Sequence, residues 1–285
     1  MLFSLRRWLP AVILATVMSS LMSTSICLAA EDSKPNPLSK ATELFKGGKL
    51  DQALMSVDEF IGRAHSLRGN ILLTAGRARI SKLLIVKGDE SKQAVRKKAR
   101  IEFESAHASF LIARKMAQAK WTTFPKFIPE AMAELRRERG KAEVDYIRSQ
   151  LNVASALYQT AGTYKSTEDV FGVHMKAAAA EYEKIHQRYR SQIGGLHARM
   201  WQAKCLEELG DVHKSLGIYN ELLDHPGTSN GLVRMQDQAR MFRLSVLNHP
   251  KRADYELVII EANDWLAASP MKQRTSTGLG IRWQL

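Results

Sequence analysis

The chain has 285 residues, of which 45% are hydrophobic and 25% charged, and its formal net charge is +13. This composition excludes a disordered polyelectrolyte and supplies enough apolar surface for one sizeable core or one continuous stacked array. Two cysteines exclude a disulfide framework. The basic balance draws anionic partners (nucleic acid, acidic protein, lipid or polysaccharide) without choosing among them, and an ordinary solvated basic surface with no single partner is the simpler reading.

Residues 1–30 read as a signal peptide. Arg6 and Arg7 precede an apolar run from Trp8 to Ile26, and Cys27-Leu28-Ala29-Ala30 supplies a small-residue cleavage site after Ala29 or Ala30. The run is nearly long enough to span a bilayer, so an uncleaved anchor is the competing reading. The hydroxyl residues Ser19, Ser20, Ser23, Thr24 and Ser25 favour cleavage. Bulky Ile26 argues against lipid attachment at Cys27, and the residues around Arg6-Arg7 fit a twin-arginine signal poorly. Removal of the leader lowers the formal charge to +11 and leaves Cys205 alone, read as a small packing residue. The expected destination is the periplasm or cell envelope.

Residues 31–39 carry Pro35 and Pro37 and no apolar period, which predicts a linker. The remainder, 40–285, is expected to be helical throughout. Ala41, Leu44 and Phe45 open a first helix that Gly47-Gly48 ends. Leu50, Ala53, Leu54, Val57, Phe60 and Ile61 form a second. Ile71, Leu72, Ala75, Ala78, Ile80, Leu83 and Leu84 form a third, beginning near Leu67 and ended by Gly88-Asp89. A long helix is expected over 91–120, with the stripe Val95, Ala99, Phe103, Ala106, Phe110, Ala113 and Ala117. Trp121, Phe124 and Phe127 lie in a proline-bounded junction, read as a plug between helix pairs. The next helix runs from Pro129 to Ala161, with Gly140 as a bend or break.

Three further faces follow at helical spacing. Phe171, Met175, Ala178, Tyr182, Ile185 and Tyr189 make one; Leu196, Met200, Ala203, Leu206 and Leu209 make the next. After Gly210-Asp211 come Val212, Leu216, Tyr219, Leu222 and Leu223, closed by Pro226. No helix of this kind can bury its stripe alone, so each needs a neighbour. The pattern also repeats. Gly195-Leu196 aligns with Gly231-Leu232, and Gln202-Ala203-Lys204 with Gln238-Ala239-Arg240. Each unit ends at a proline, Pro226 or Pro270. A third copy opens at Ser276-Thr277-Gly278-Leu279, where the given sequence runs out. This predicts the front part of a longer protein, or a truncated product.

Gly210-Asp211, Val212, Ser215, Tyr219, Leu222 and Pro226 together resemble the tetratricopeptide repeat, a helix-turn-helix unit. Asp254-Tyr255, Val258-Ile259, Ala262, Trp265-Leu266 and Pro270 fit its second-helix spacing, and Gly48-Lys49-Leu50 with Ala53 and Val57 fits a first unit. The resemblance implies an all-α, right-handed solenoid of antiparallel helix hairpins, irregular over 67–164. It also implies a concave face lined by first helices, with His197, Lys204, Gln236, Arg240 and Arg243 as candidate contacts for a protein or peptide partner.

No catalytic constellation is legible: there is no glycine-rich phosphate loop, no His-Glu-x-x-His and no close-spaced metal-ligand set. Glu207-Glu208 reads as part of a charged helix face without a perturbed pKa. No cofactor and no metal are expected. Lys92, Arg96 and Arg100, four residues apart, are candidate contacts for an anionic envelope component. The functional expectation is a non-catalytic scaffold or adaptor acting on other proteins, with nucleic acid not expected. A binder of anionic surfaces, or the non-catalytic front of a larger enzyme, are the alternatives.

Overall fold

The computed structural model describes residues 37–285, so the expected leader and most of the linker lie outside the described residues. Within that range the chain forms ten α-helices and no strand. They are α1 (Pro37–Lys46), α2 (Leu50–Ser81), α3 (Asp89–Thr122), α4 (Ala133–Ala161) and α5 (Asp169–Arg188). There follow α6 (Ile193–Glu208), α7 (Val212–Leu223), α8 (Asn230–Leu247), α9 (Tyr255–Ala268) and α10 (Ser276–Arg282). Each helix packs against the next, and α4, α6, α8 and α10 also touch one another in turn.

Glycines set several of the turns. Gly48 and Gly210 stand at positive φ, 72° and 80°, just beyond the ends of α1 and α6. In both, two amide groups after the helix donate back to its last free carbonyls: Lys49 to Leu44 and Gly48 to Phe45, Asp211 to Leu206 and Gly210 to Glu207. Asp211 then caps α7 by accepting from the Lys214 amide at 3.3 Å. Gly195 and Gly278 share another role. An added Cβ at either would overlap a carbonyl six residues earlier, of Tyr189 or Lys272, where the chain folds into α6 or α10. Gly231 is exposed and meets no such obstacle; α8 is started by the Ser229 cap instead.

The core runs through the molecule in three linked parts. Leu73, Ile80, Phe103 and Phe110 of α2 and α3 meet Val153 and Ala156 of α4. The other side of α4, with Ile147 and Ala154, meets the α5 stripe and Ala198 and Cys205 of α6. The opposite side of α6, with Leu196, Met200 and Ala203, meets α7, α8, α9 and Ile281 of α10. Thus α4 and α6 each serve two cores. Trp201 joins the last two. Its ring lies 5.4 Å from Tyr158, 6.4 Å from Tyr182 and 5.6 Å from Phe242, centroid to centroid.

Two expectations are corrected. The segments expected as separate helices around Leu54 and Ala75 are one 32-residue helix, α2. Gly62 does not break it; an added Cβ there would lie 2.9 Å from Cβ of Met116 on α3. Gly69 and Gly76 follow at seven-residue intervals, and a Cβ on either would overlap the ring of Phe110 or Phe103. The buried face of α2 is therefore Gly69, Leu73, Gly76 and Ile80, while Ile71 and Leu84, expected inside, are exposed. Similarly, α4 passes through Gly140 unbroken.

The contrast between glycines is testable by thermal melting. Gly76→Val must displace the buried Phe103 ring and is expected to cost about 1–3 kcal/mol, a fall of several degrees in Tm. Gly140→Ala meets nothing within 4 Å inside a continuous helix and is expected to gain about 0.5–1 kcal/mol.

Candidate partner-binding surfaces

Three of the residues expected on one concave face, Lys204, Gln236 and Arg243, are engaged in internal contacts. Lys204 is buried, only 1% exposed. Helix α6 has neighbours on opposite sides, and the Lys204 side chain is enclosed among them. The Lys204 ammonium instead lies 2.6 Å from Glu207 and 3.1 Å from Glu208. Its Nζ is also 5.4 Å from the centre of the Phe242 ring. Tyr219 donates its hydroxyl to Glu207 at 3.1 Å, and Ser245 donates to the same carboxylate at 3.2 Å. Glu207, read from the sequence as part of a solvated face, is the centre of a buried network.

Burial works to lower the Lys204 ammonium, but the two carboxylates together outweigh it and hold the group above its ordinary range. Burial pushes the Glu207 carboxyl up, with Glu208 adding to the effect and Lys204 opposing it. The two directions pull apart, one favouring the charged pair and one opposing it. The ammonium touches two carboxylates at short range, so a charged Lys204 is the direction the geometry carries. Burial likewise raises the Cys205 thiol, leaving an inert packing group.

The other expected contacts are also largely internal. Gln236 donates its amide to the carbonyls of Leu222, Leu223 and His225 at 3.0–3.2 Å, closing the end of α7. Arg243 donates to Asn220 at 2.6 Å and pairs with Glu261, tying α7, α8 and α9 together. His197 is half-buried, and burial lowers its pKa and favours the neutral ring. Arg240 is half-buried and makes no hydrogen bond or ion pair among the described residues. Of the basic trio, Arg100 lays its guanidinium 3.5 Å over the Tyr164 ring and donates to Thr163 at 2.9 Å, so it pins the α4–α5 loop. Lys92 and Arg96 have no such partner among the described residues.

The helices leave other surfaces open. Phe60, Ala64, Leu67, Ile71, Thr74 and Ala78 recur every three or four residues along α2, all exposed and turned away from α3; Leu67 is 62% and Ile71 60% exposed. Of these, Phe60, Ile71 and Ala78 are expected from the sequence on buried faces, and the structure turns them outward. Phe127 is 78% exposed beside a shallow cleft of about 440 Å³ whose Arg136 and Arg139 donate to loop carbonyls of Ile128 and Lys126. No group of three or more His, Cys, Asp or Glu among the described residues is placed to hold a metal ion. No described helix is long and apolar enough to cross a membrane.

Comparison with known proteins gives no match, whether to a family model, among curated proteins or among solved structures.

The Lys204 network generates a stability test. Lys204→Met leaves Glu207 buried without its cation and is expected to cost about 3–5 kcal/mol at pH 7 by chemical denaturation. Adding Glu207→Gln should recover most of it. In Lys204→Met alone the loss should shrink as pH falls towards 4.5, because the stranded carboxyl then takes up a proton. In the parent chain, Lys204 binds its proton more tightly folded than unfolded. Its contribution is complete below pH 10.5 and fades as pH rises beyond that.

Proposed function

We propose that the protein is an exported, non-catalytic scaffold whose tetratricopeptide-like solenoid of helix hairpins holds another protein in the cell envelope. The observation that carries this reading is the open apolar stripe of α2, running through Phe60, Leu67 and Ile71. Soluble helices of this length ordinarily cover such a stripe, and an exposed one marks an interaction surface. The contacts among α4, α6, α8 and α10 support a repeating stack, in which every second helix leans on the next of its kind. The shared close approach at Gly195 and Gly278 supports the repeat unit itself.

The occupant is an amphipathic helix of a partner protein. A seven-residue apolar period on one side is matched by the same period on another helix laid along it. Recognition thus moves from the expected concave cations to the outer face of α2, because Lys204 and Arg243 are spent on internal contacts.

A photo-crosslinking amino acid at Leu67 tests this in envelope extracts, with Glu183 as an exposed polar control. The expected product is one adduct specific to position 67, mapping to an apolar helical segment of a different chain. Leu67→Asp/Ile71→Asp should abolish it while changing Tm by no more than about 2 °C, as both side chains are already solvated. Equal labelling at both positions, or adducts only with a second copy of the chain, would refute the proposal.

A further inference from the structure

The apex of the α2–α3 hairpin combines exposed aliphatic side chains with a run of cations. The turn after α2 is a short 3-10 segment, Lys82–Leu84. Leu83 turns inward against the Phe103 core, while Leu84 and Ile85 point to solvent, 51% and 79% exposed. The segment 82–98 that includes them carries Lys82, Lys87, Lys92, Arg96, Lys97 and Lys98 against only two acids, Asp89 and Glu90. Those two acids occupy the first turn of α3, where they complement the helix N-terminus. None of the six cations makes a side-chain hydrogen bond or ion pair among the described residues. The apex is also rigidly presented. Arg79 of α2 pairs with Glu102 of α3 at 2.6 Å just behind it, Ile80 and Ala99 are buried beside that pair, and Gly88 at φ 83° makes the turn into α3.

We infer that this apex docks on an anionic lipid surface, with Leu84 and Ile85 entering the headgroup layer and the surrounding lysines and arginine contacting lipid phosphates. Cations alone would fit any polyanion. An aliphatic pair in a strongly cationic segment fits the boundary between headgroups and acyl chains, where apolar burial and charge attraction add. Duplex nucleic acid or an acidic protein offers no layer for two bare aliphatic side chains to enter. The far end of α3 supplies the contrast. Phe127 is as exposed as Ile85, but residues 126–143 carry Lys126, Arg136, Arg137, Arg139 and Lys141 against Glu130, Glu134, Glu138 and Glu143. Several of those charges pair with each other: Arg136 with Glu130 and Arg137 with Glu134. An aromatic in a balanced field has no preference for an anionic bilayer. This surface is separate from the α2 stripe and does not depend on the partner assigned to it.

Vesicle sedimentation tests the inference on the protein as the cell delivers it. The probes are phosphatidylcholine vesicles with and without about 30% phosphatidylglycerol, at about 0.1 M salt. Leu84→Ser/Ile85→Ser should weaken partition onto the anionic vesicles about ten-fold or more, and Lys87→Ala/Lys98→Ala about thirty-fold. Phe127→Ser should leave it unchanged. Circular dichroism melting should not move in any of them, and Ile85→Ser alone, at the most exposed position, should shift partition in the same direction. Partition that neither double substitution weakens would overturn the inference. So would binding to duplex DNA or an acidic polypeptide that matches the anionic vesicles and ignores the loss of Leu84 and Ile85, since the surface would then be purely electrostatic.

Discussion

The structure depends on how closely neighbouring helices approach. At the α2–α3 seam Gly62, Gly69 and Gly76 remove side chains from one helix so that Met116, Phe110 and Phe103 of the other can fill the space. At the α4–α6 contact Gly194 does the same for Ile147. Tight seams allow dispersion contacts on both flanks of a helix, and this is what permits α4 and α6 to serve two cores at once. A helix with neighbours on opposite sides has little room for a polar face, so its charged residues must find partners inside.

Lys204 and Glu207 follow from that constraint. Their network is satisfied by Glu208, Tyr219 and Ser245, and it ties α6 to α7 and α8 beside the Trp201 cluster. Buried ion pairs of this kind contribute little net stability against an apolar replacement but penalise misregistered packing, because any shift strands a charge. The same economy explains Gln236, Arg243 and Arg100, each of which closes a helix end or a loop. Packing leaves two surfaces unconsumed, the outer stripe of α2 and the cationic apex of the hairpin, and these lie on the same pair of helices.

Much of the fold was legible because side-chain period is a local property. The faces through Phe171–Tyr189, Met200–Ala203 and Tyr219–Leu222 are buried as their spacing implied. The turns at Gly48 and Gly210 were legible because positive φ favours glycine. Legibility failed where one residue type has two meanings. Glycine inside a helix reads as a break, yet Gly62, Gly69 and Gly76 are points of contact with a helix distant in sequence. An apolar period reads as a core face, yet the one through Leu67 and Ile71 faces outward. The candidate site was less legible still. A lysine four residues from a carboxylate has the same spacing whether the helix faces water or has packed neighbours on both sides, and only the positions of α7 and α8 decide it for Lys204.

The α2–α3 seam admits a direct test of this account. In a Gly62→Cys/Met116→Cys chain the two Cβ atoms face each other 2.9 Å apart across the α2–α3 seam, within reach of a disulfide after a small shift. Buried Cys205 stands apart from them. Mild oxidation of the folded chain should form the 62–116 disulfide in nearly every molecule, and oxidation in denaturant should not. Native thiols that stay free, or that cross-link in a register displaced by one helical turn, would show that these helices do not meet at their glycines.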